Sequence, residues 1–186
     1  MARTPSATAH QKVLDAAIQL IEERGIDGAS MDAIAQLAGV SKATVYKHWK
    51  DKEALSLDVL SSLVEQPPEF DTGSLRQDLI DYLNYLFRFE RPERLMKIWP
   101  RIIGHAAMNP NFGLALQRHA FQPRREQVAR ILARGASRGE FPPEVDANFA
   151  MDLLIGPIMH RKFAGNLMSE DFPERVVDVI LKGLTH

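Results

Sequence analysis

Apolar positions along the chain recur at intervals of three and four residues, the spacing that places side chains on one face of an α-helix. Near the N-terminus, Val13, Leu14, Ala17, Leu20 and Ile21 fall on one such stripe. No segment keeps the strict alternation that is typical of a half-buried β-strand. The pattern therefore predicts an all-α protein.

Three helices and two tight connections are predicted at the N-terminal end. The first helix should cover Thr8–Arg24 and end at Gly25. Ser30 and Ser41 suit the N-caps of two short helices, and Gly39 between them suits the left-handed backbone of a tight turn. Two short helices joined in this way form a helix-turn-helix, whose second helix enters the major groove of DNA.

The remainder of the chain is also predicted to be helical. Asp51 should cap a fourth helix, and a proline-containing loop follows at Gln66–Gly73. We place a functional boundary inside the fourth helix, so that residues 8–54 form a DNA-binding domain and residues 55–186 a ligand-binding and dimerisation domain. Further helices are predicted over residues 74–90, 92–105, 111–138, 145–164 and 173–184, with Pro123 kinking or splitting the third of these.

Charge is concentrated where the second short helix is predicted. The whole chain has a formal net charge of -1, yet the segment Ser41–Lys52 holds four lysines and one aspartate. A basic segment is by itself more often a solvated face than a binding surface. Here the basic segment coincides with the predicted recognition helix, so we expect its lysines to bind DNA phosphates.

A helical wheel divides the predicted recognition helix into two faces. Val45 and Trp49 lie four residues apart and should point into the core. On the opposite face, small Ala43 allows close approach to base edges, and Thr44 can form a hydrogen bond with them. Lys47 can reach either a base acceptor or a phosphate. Backbone N–H groups at the N-termini of the two short helices can bind phosphates as well. The residues suited to phosphate contacts are Ser30, Ser41, Tyr46, Lys50 and Lys52.

Each of these residues also has a purely structural interpretation. Ser30 and Ser41 act as caps in either case. Tyr46 could instead be a core aromatic, and His48 could be a solvated surface residue.

The segment from Val13 to Leu55 resembles the DNA-binding domain of the TetR family of regulators. The resemblance implies DNA contacts by Ser30, Lys42, Thr44, Tyr46, His48 and Lys52. Trp49 stands where the family often has phenylalanine, so we expect local repacking there. The matching residues are Leu14-Asp15-Ala16-Ala17, Glu23-Arg24-Gly25, Ser30, Ile34-Ala35, the run from Ala38 to Trp49, and Asp51-Lys52-Glu53-Ala54-Leu55.

A looser resemblance covers Arg134–Leu184 and implies a dimerisation function. In one branch of the family, the last two helices of each subunit pack together as a four-helix interface. Carried over, this predicts a homodimer that binds a pseudo-palindromic operator on double-stranded DNA, commonly as a repressor. The predicted interface residues are Phe149, Leu153, Leu154, Pro157, Ile158, Val176, Val177 and Ile180.

The same half of the chain is rich in bulky apolar side chains that could line a ligand cavity. Most such side chains are ordinary core residues in any protein. Family resemblance nevertheless implies a small hydrophobic effector that weakens DNA binding. The candidate pocket residues are Tyr82, Phe87, Trp99, His105, Met108 and Phe121.

Nothing in the sequence points to catalysis, and we expect no enzyme activity, no cofactor and no metal. The absence of cysteine excludes disulfides and thiolate metal sites. No His-Glu-x-x-His, Gly-x-Ser-x-Gly or phosphate-binding loop occurs. A metal site built from His105, His119 and His160 stays an alternative.

The expected location is the cytoplasm. The apolar run Leu153–Met159 is too short to span a bilayer, and Met1–His10 lacks the apolar core of a signal peptide. Two other functions stay open. One is a regulator of the same fold that is controlled by a protein partner or not controlled by a ligand. The other is a helical enzyme or small-molecule carrier.

Overall fold

The computed structural model describes residues 5–64, 67–87, 93–140, 142, 144–165 and 169–184. All regular structure in these ranges is helical, which confirms the predicted fold class. The helices are α1 (Pro5–Gly28), α2 (Met31–Ala38), α3 (Lys42–His48), α4 (Lys52–Leu63), α5 (Leu75–Phe87), α6 (Glu93–Met108), α7 (Pro110–Leu116), a π-helical turn (Gln117–Phe121), α8 (Gln122–Ser137), α9 (Ala147–Phe163) and α10 (Phe172–Leu184).

The chain folds into two compact units. The first contains residues 1–65 and 90–120, and the second contains residues 66–89 and 121–186. The functional boundary predicted at residues 54/55 lies inside α4 and stays a prediction about function.

In the first unit, α1 packs against α2, α4 and α6, and α6 also packs against α7. The apolar stripe predicted for α1 is buried, including Val13, Ala17 and Ile21. Gly25 interrupts α1 with a φ of 71°, close to the predicted helix end, and Ile26 immediately after it is buried. The contacts of α1 with α2, and of α2 with α3, hold the two short helices against this core.

In the second unit, α5 packs against α8 and α10, and α9 packs against α8 and α10. The approach of α8 to α5 favours glycine at position 135, because a Cβ there would lie 2.7 Å from Cδ2 of Leu75 and this side chain would have to shift. Leu75, Leu79, Tyr82 and Leu83 of α5 are fully enclosed in this core.

Pro123 divides the long helical segment as predicted. A regular helix ends at Leu116, a π-helical turn covers Gln117–Phe121, and α8 begins with Pro123 in its first turn. Proline lacks the N–H that an interior helical position needs, and its ring crowds the preceding turn. None of the helices among the described residues is both long and apolar enough to cross a membrane.

Candidate nucleic-acid interface

The turn between α2 and α3 is built from local capping interactions. Ser30 Oγ accepts a hydrogen bond from Ala33 N at 3.2 Å, and Ser41 Oγ accepts one from Thr44 N at 3.1 Å. Gly39 adopts a φ of 65°, and Val40 N donates back to Ala35 O at 3.1 Å. The left-handed residue closes α2, and Ser41, two residues later, caps α3, which is the predicted helix-turn-helix connection.

α3 has one buried side and one exposed side. Val45 and Trp49 are buried, as predicted from their spacing. Tyr46 is 52% exposed, so it is not a core aromatic. Thr44 is half-buried, and its Oγ1 lies 2.8 Å from Ser41 Oγ. The exposed residues of α3 are Lys42, Ala43, Tyr46, Lys47 and His48.

Three of the four lysines in this segment have carboxylate neighbours. Lys42 Nζ lies 2.5 Å from Asp32 Oδ2, and Lys52 Nζ lies 2.9 Å from Asp27 Oδ1. Lys50 Nζ lies 3.7 Å from the carboxylate of Asp51, the next residue. Lys47 forms no ion pair with any residue that the structure describes. Its full charge is therefore available at the exposed face.

The end of α3 is fixed by a cluster of aromatic and polar side chains. Trp49 Nε1 donates to Asp58 Oδ2 at 2.9 Å, which joins α3 to α4. The ring of His10 from α1 lies 4.7 Å from the Trp49 ring and 5.6 Å from the His48 ring. Asp58 also lies 3.5 Å from His10 Nε2. These contacts set the position of His48 at the edge of the exposed face.

Asp27, which the sequence analysis did not single out, sits beside Lys52. The hydrogen bond from Lys52, reinforced by the charges of Lys52 and His105, holds the pKa of Asp27 below its ordinary value against a smaller opposing effect of desolvation. Asp27 and Asp32 reduce the free positive charge of the basic segment. Their partners lie 25 and 10 residues away along the chain, so helical spacing gave no signal for these pairs.

The six predicted pocket residues do not belong to one compact unit. Trp99, His105 and Met108 lie in the first unit, and Tyr82, Phe87 and Phe121 lie in the second. Met108 is 82% exposed, while Tyr82 is fully buried. The ligand pocket therefore stays a prediction.

His105, a candidate pocket residue, already has polar partners. It is a buried residue of α6, and its ring nitrogens lie within 3.3 Å of Asp27 Oδ2 and 3.2 Å of Glu53 Oε1. The ring belongs to a polar network with α1 and α4 because both nitrogens already face carboxylates. Within the described part of the chain, no three His, Cys, Asp or Glu side chains are grouped so as to hold a metal ion.

Most of the predicted dimer-interface residues are buried within their own subunit. Leu154, Ile158 and Val177 are completely enclosed in the core of their own unit, and Val176 and Ile180 are nearly so. A side chain enclosed by its own subunit has little surface to offer a second copy, so the burial of these five residues does not support their place in the interface, which stays a prediction. Their apolar spacing reflects packing within the subunit.

The outer surfaces of α9 and α10 carry other apolar residues. Phe149 is 54% exposed, Pro157 is exposed and Leu153 is half-buried. Val179 of α10 is 71% exposed and was missed by the sequence analysis. Its position three residues after Val176 was the only available signal. Contiguous exposed apolar patches commonly mark contact surfaces, whereas single exposed apolar side chains are ordinary.

Two family models match this chain and together cover most of it. The model for bacterial regulatory proteins of the tetR family matches residues 13–59. The model for the tetracyclin repressor-like C-terminal domain matches residues 69–180. The first match contains α2, α3 and the capped turn between them.

Relatives and solved structures agree with these matches over nearly the full length. The uncharacterized HTH-type transcriptional regulator YdeS of Bacillus subtilis is 33% identical, over 94% of this chain and 89% of that protein. The DNA-binding transcriptional repressor TetR of Mycobacteroides abscessus is 31% identical, over 91% of this chain and 90% of that protein. The crystal structure of the TetR family transcription regulator SCO0332 superposes with a TM-score of 0.68 at 28% identity, covering 94% and 97% of the two chains.

Proposed function

This chain belongs to the TetR family of bacterial regulators, and from that premise we propose that it is a homodimeric repressor whose α3 binds a pseudo-palindromic operator. Members of the family are helix-turn-helix transcriptional regulators and not enzymes. The observation that carries the proposal is the two-sided character of α3. One face of α3 is exposed, and Val45 and Trp49 on the opposite side are buried in the core.

The exposed face supports a division between base contacts and phosphate contacts. Ala43 leaves room for close approach, and Thr44 and Lys47 offer hydrogen-bonding groups to base edges. Lys47 suits base readout best because no carboxylate competes for its charge among the described residues. The proposed phosphate contacts are Ser30, Ser41, Lys42, Tyr46, His48, Lys50 and Lys52.

Regulators of this family act as dimers, and we propose that the outer surfaces of α9 and α10 form the contact between subunits. Phe149, Leu153, Pro157 and Val179 supply apolar surface there. Two copies related by a two-fold axis would present two α3 helices to successive major grooves, about 34–36 Å apart. An operator with matching two-fold symmetry follows from that arrangement.

Control by a small hydrophobic effector is the second part of the proposal. Control by a ligand is typical of the family, and the chain matches the model for the tetracyclin repressor-like C-terminal domain. Both observations support this part of the proposal. An effector bound in the predicted C-terminal domain, residues 55–186, would have to favour a subunit arrangement that fits DNA poorly. Such couplings are typically about 1–3 kcal/mol and are reciprocal, so DNA would weaken effector binding by the same factor. The site of action would be the cytoplasm, where a bacterial operator is found.

A gel shift and footprint with the DNA that flanks the protein's own coding region test the DNA-binding proposal. We expect a discrete protected site that is lost at high salt, since phosphate contacts release counterions. Lys97→Ala is the matched control, because Lys97 lies on α6 and pairs with Glu93, away from α3. Equal binding to flanking and unrelated duplexes would contradict sequence-specific regulation.

A further inference from the structure

A buried polar network connects α6 to the residues beside the DNA face. His105 of α6 lies with Nε2 at 3.2 Å from Glu53 Oε1 in the first turn of α4. Its Nδ1 lies 3.3 Å from Asp27 Oδ2 near the end of α1. The other oxygen of Asp27 accepts from Lys52 Nζ at 2.9 Å. Asp27 therefore stands between His105 and a lysine proposed to bind phosphate.

The hydrogen-bond roles of His105 depend on its protonation state. A doubly protonated ring can donate to Glu53 and Asp27 at the same time, whereas a neutral ring has only one N–H. Asn109 Nδ2 lies 3.2 Å from the same Nδ1 and can donate to it when that nitrogen carries no proton. Loss of the proton would therefore exchange Asp27 for Asn109 as the partner of Nδ1. The interaction with Glu53 can persist in both states.

The ring is enclosed by groups from each helix around it. The ionisable side chains that contact the ring among the described residues are Asp27 from α1 and Glu53 from α4. The aromatic ring of Phe112 in α7 meets it edge-on at 5.0 Å between centroids. Within this cluster of described residues, Asp27 is the carboxylate that forms an ion pair with Lys52.

We propose that His105 is a positioning residue that sets how strongly Asp27 holds Lys52, and that protonation of His105 strengthens DNA binding. This proposal rests on the proposed function, in which Lys52 contacts a phosphate. When His105 is charged, it pairs with Asp27 and weakens the attraction between Asp27 and Lys52. Lys52 is then available to bind the phosphate. When His105 is neutral, Asp27 depends on Lys52 alone and competes with DNA for it. Histidine is the side chain that changes charge between about pH 5 and pH 8.

The test compares operator affinity at about pH 6 and about pH 8, using the duplex most enriched from a random pool by the wild-type protein. We expect wild-type affinity to rise about fivefold more on acidification than that of His105→Gln, at the lower end of couplings between sites. Asp27→Asn should lose the same additional rise, since the carboxylate that links His105 to Lys52 is gone. Its side chain is 79% exposed, so this variant should fold even if His105→Gln does not.

His48→Gln is the matched control, because His48 also lies at the DNA face but, among the described residues, packs against His10 and Trp49 and not against Asp27 or Lys52. In the His48→Gln background, adding His105→Gln should still remove the additional rise in affinity on acidification. An unchanged pH profile in His105→Gln would overturn the proposal. If Asp27→Asn kept the whole wild-type rise in affinity on acidification, this would also overturn the proposal, since His105 would then act only through its long-range charge. Failure to enrich any duplex would instead contradict the proposed function itself.

Discussion

The indole Nε1 of Trp49 donates a hydrogen bond to Oδ2 of Asp58 at 2.9 Å, and this bond joins the end of α3 to the middle of α4. Trp49 occupies a position where the family often has phenylalanine. A buried indole N–H needs an acceptor, and Asp58 supplies one. The recognition helix is thus held by a polar bond in addition to its apolar underside.

Replacing Trp49 with phenylalanine should weaken this attachment. We expect Trp49→Phe to lower the free energy of unfolding by about 1.5–3 kcal/mol, the range for a hydrogen bond to a charged group. Urea denaturation of Trp49→Phe, Asp58→Ala and the double variant gives the coupling between the two side chains. Strict additivity of the two single changes would show that the bond contributes nothing.

Lys47 should carry more sequence information than Lys52. Lys47→Ala should reduce the discrimination between operator and unrelated DNA by about 1–3 kcal/mol if Lys47 reads a base. Salt-titrated affinities for both duplexes give this value. The contrasting variant, Lys52→Ala, should weaken binding to all duplexes alike and lower the salt slope by about one unit. An unchanged affinity in both variants would mean that α3 does not face the DNA.

Charge placed on the outer surface of α9 or α10 should separate the subunits. We expect Phe149→Asp and Val179→Asp to sediment as folded monomers with poor operator affinity, because an unpaired carboxylate would be desolvated in the interface. Leu154→Asp is the contrasting variant. Its side chain is enclosed in the subunit core, so it should unfold the second unit and lower the melting temperature strongly. Intact dimers of both surface variants would place the interface elsewhere.

Glu140 should make the second unit sensitive to acid. Its Oε2 accepts from Leu75 N at 2.7 Å, and Arg138 donates to Oε1. The bond from Arg138 first, and then that from the Leu75 backbone, lower the pKa of Glu140. A carboxyl whose pKa is lower in the folded state adds stability above its unfolded pKa, and this stability is lost as pH falls through the folded pKa.

Glu140→Gln is therefore expected to be less stable than wild type at pH 7, with the difference shrinking below about pH 4. Urea midpoints across this range provide the measurement. Glu144→Gln removes an exposed carboxylate that forms no ion pair with the described residues, and it serves as the charge control. A difference between wild type and Glu140→Gln that stays constant with pH would exclude this ionic contribution.

Local rules were sufficient to predict the recognition element from sequence. Ser30, Gly39 and Ser41 act through hydrogen bonds and backbone angles that involve only residues close by in the chain. Val45 and Trp49 are buried because of their spacing on one short helix. These features depend on short-range geometry, so sequence patterns identify them.

Features that depend on distant partners could not be predicted in this way. Asp27 meets Lys52 across 25 residues, and His105 meets Glu53 across 52 residues. The stripes of α9 and α10 were visible, but periodicity does not say whether the subunit itself or a second copy buries them. Leu154 and Val177 lie on these stripes and are buried within their own subunit, whereas Val179 is exposed.

Selection of bound sites from random duplexes by the purified protein tests the central claim most directly. If two copies of α3 read DNA together, the enriched sequences should contain an inverted repeat. Its half-site centres should lie about one helical turn of 10–10.5 base pairs apart, or a multiple of that spacing. A pool that stays as random as the starting library after repeated rounds would contradict the account, and so would enrichment of isolated half-sites without a symmetric partner.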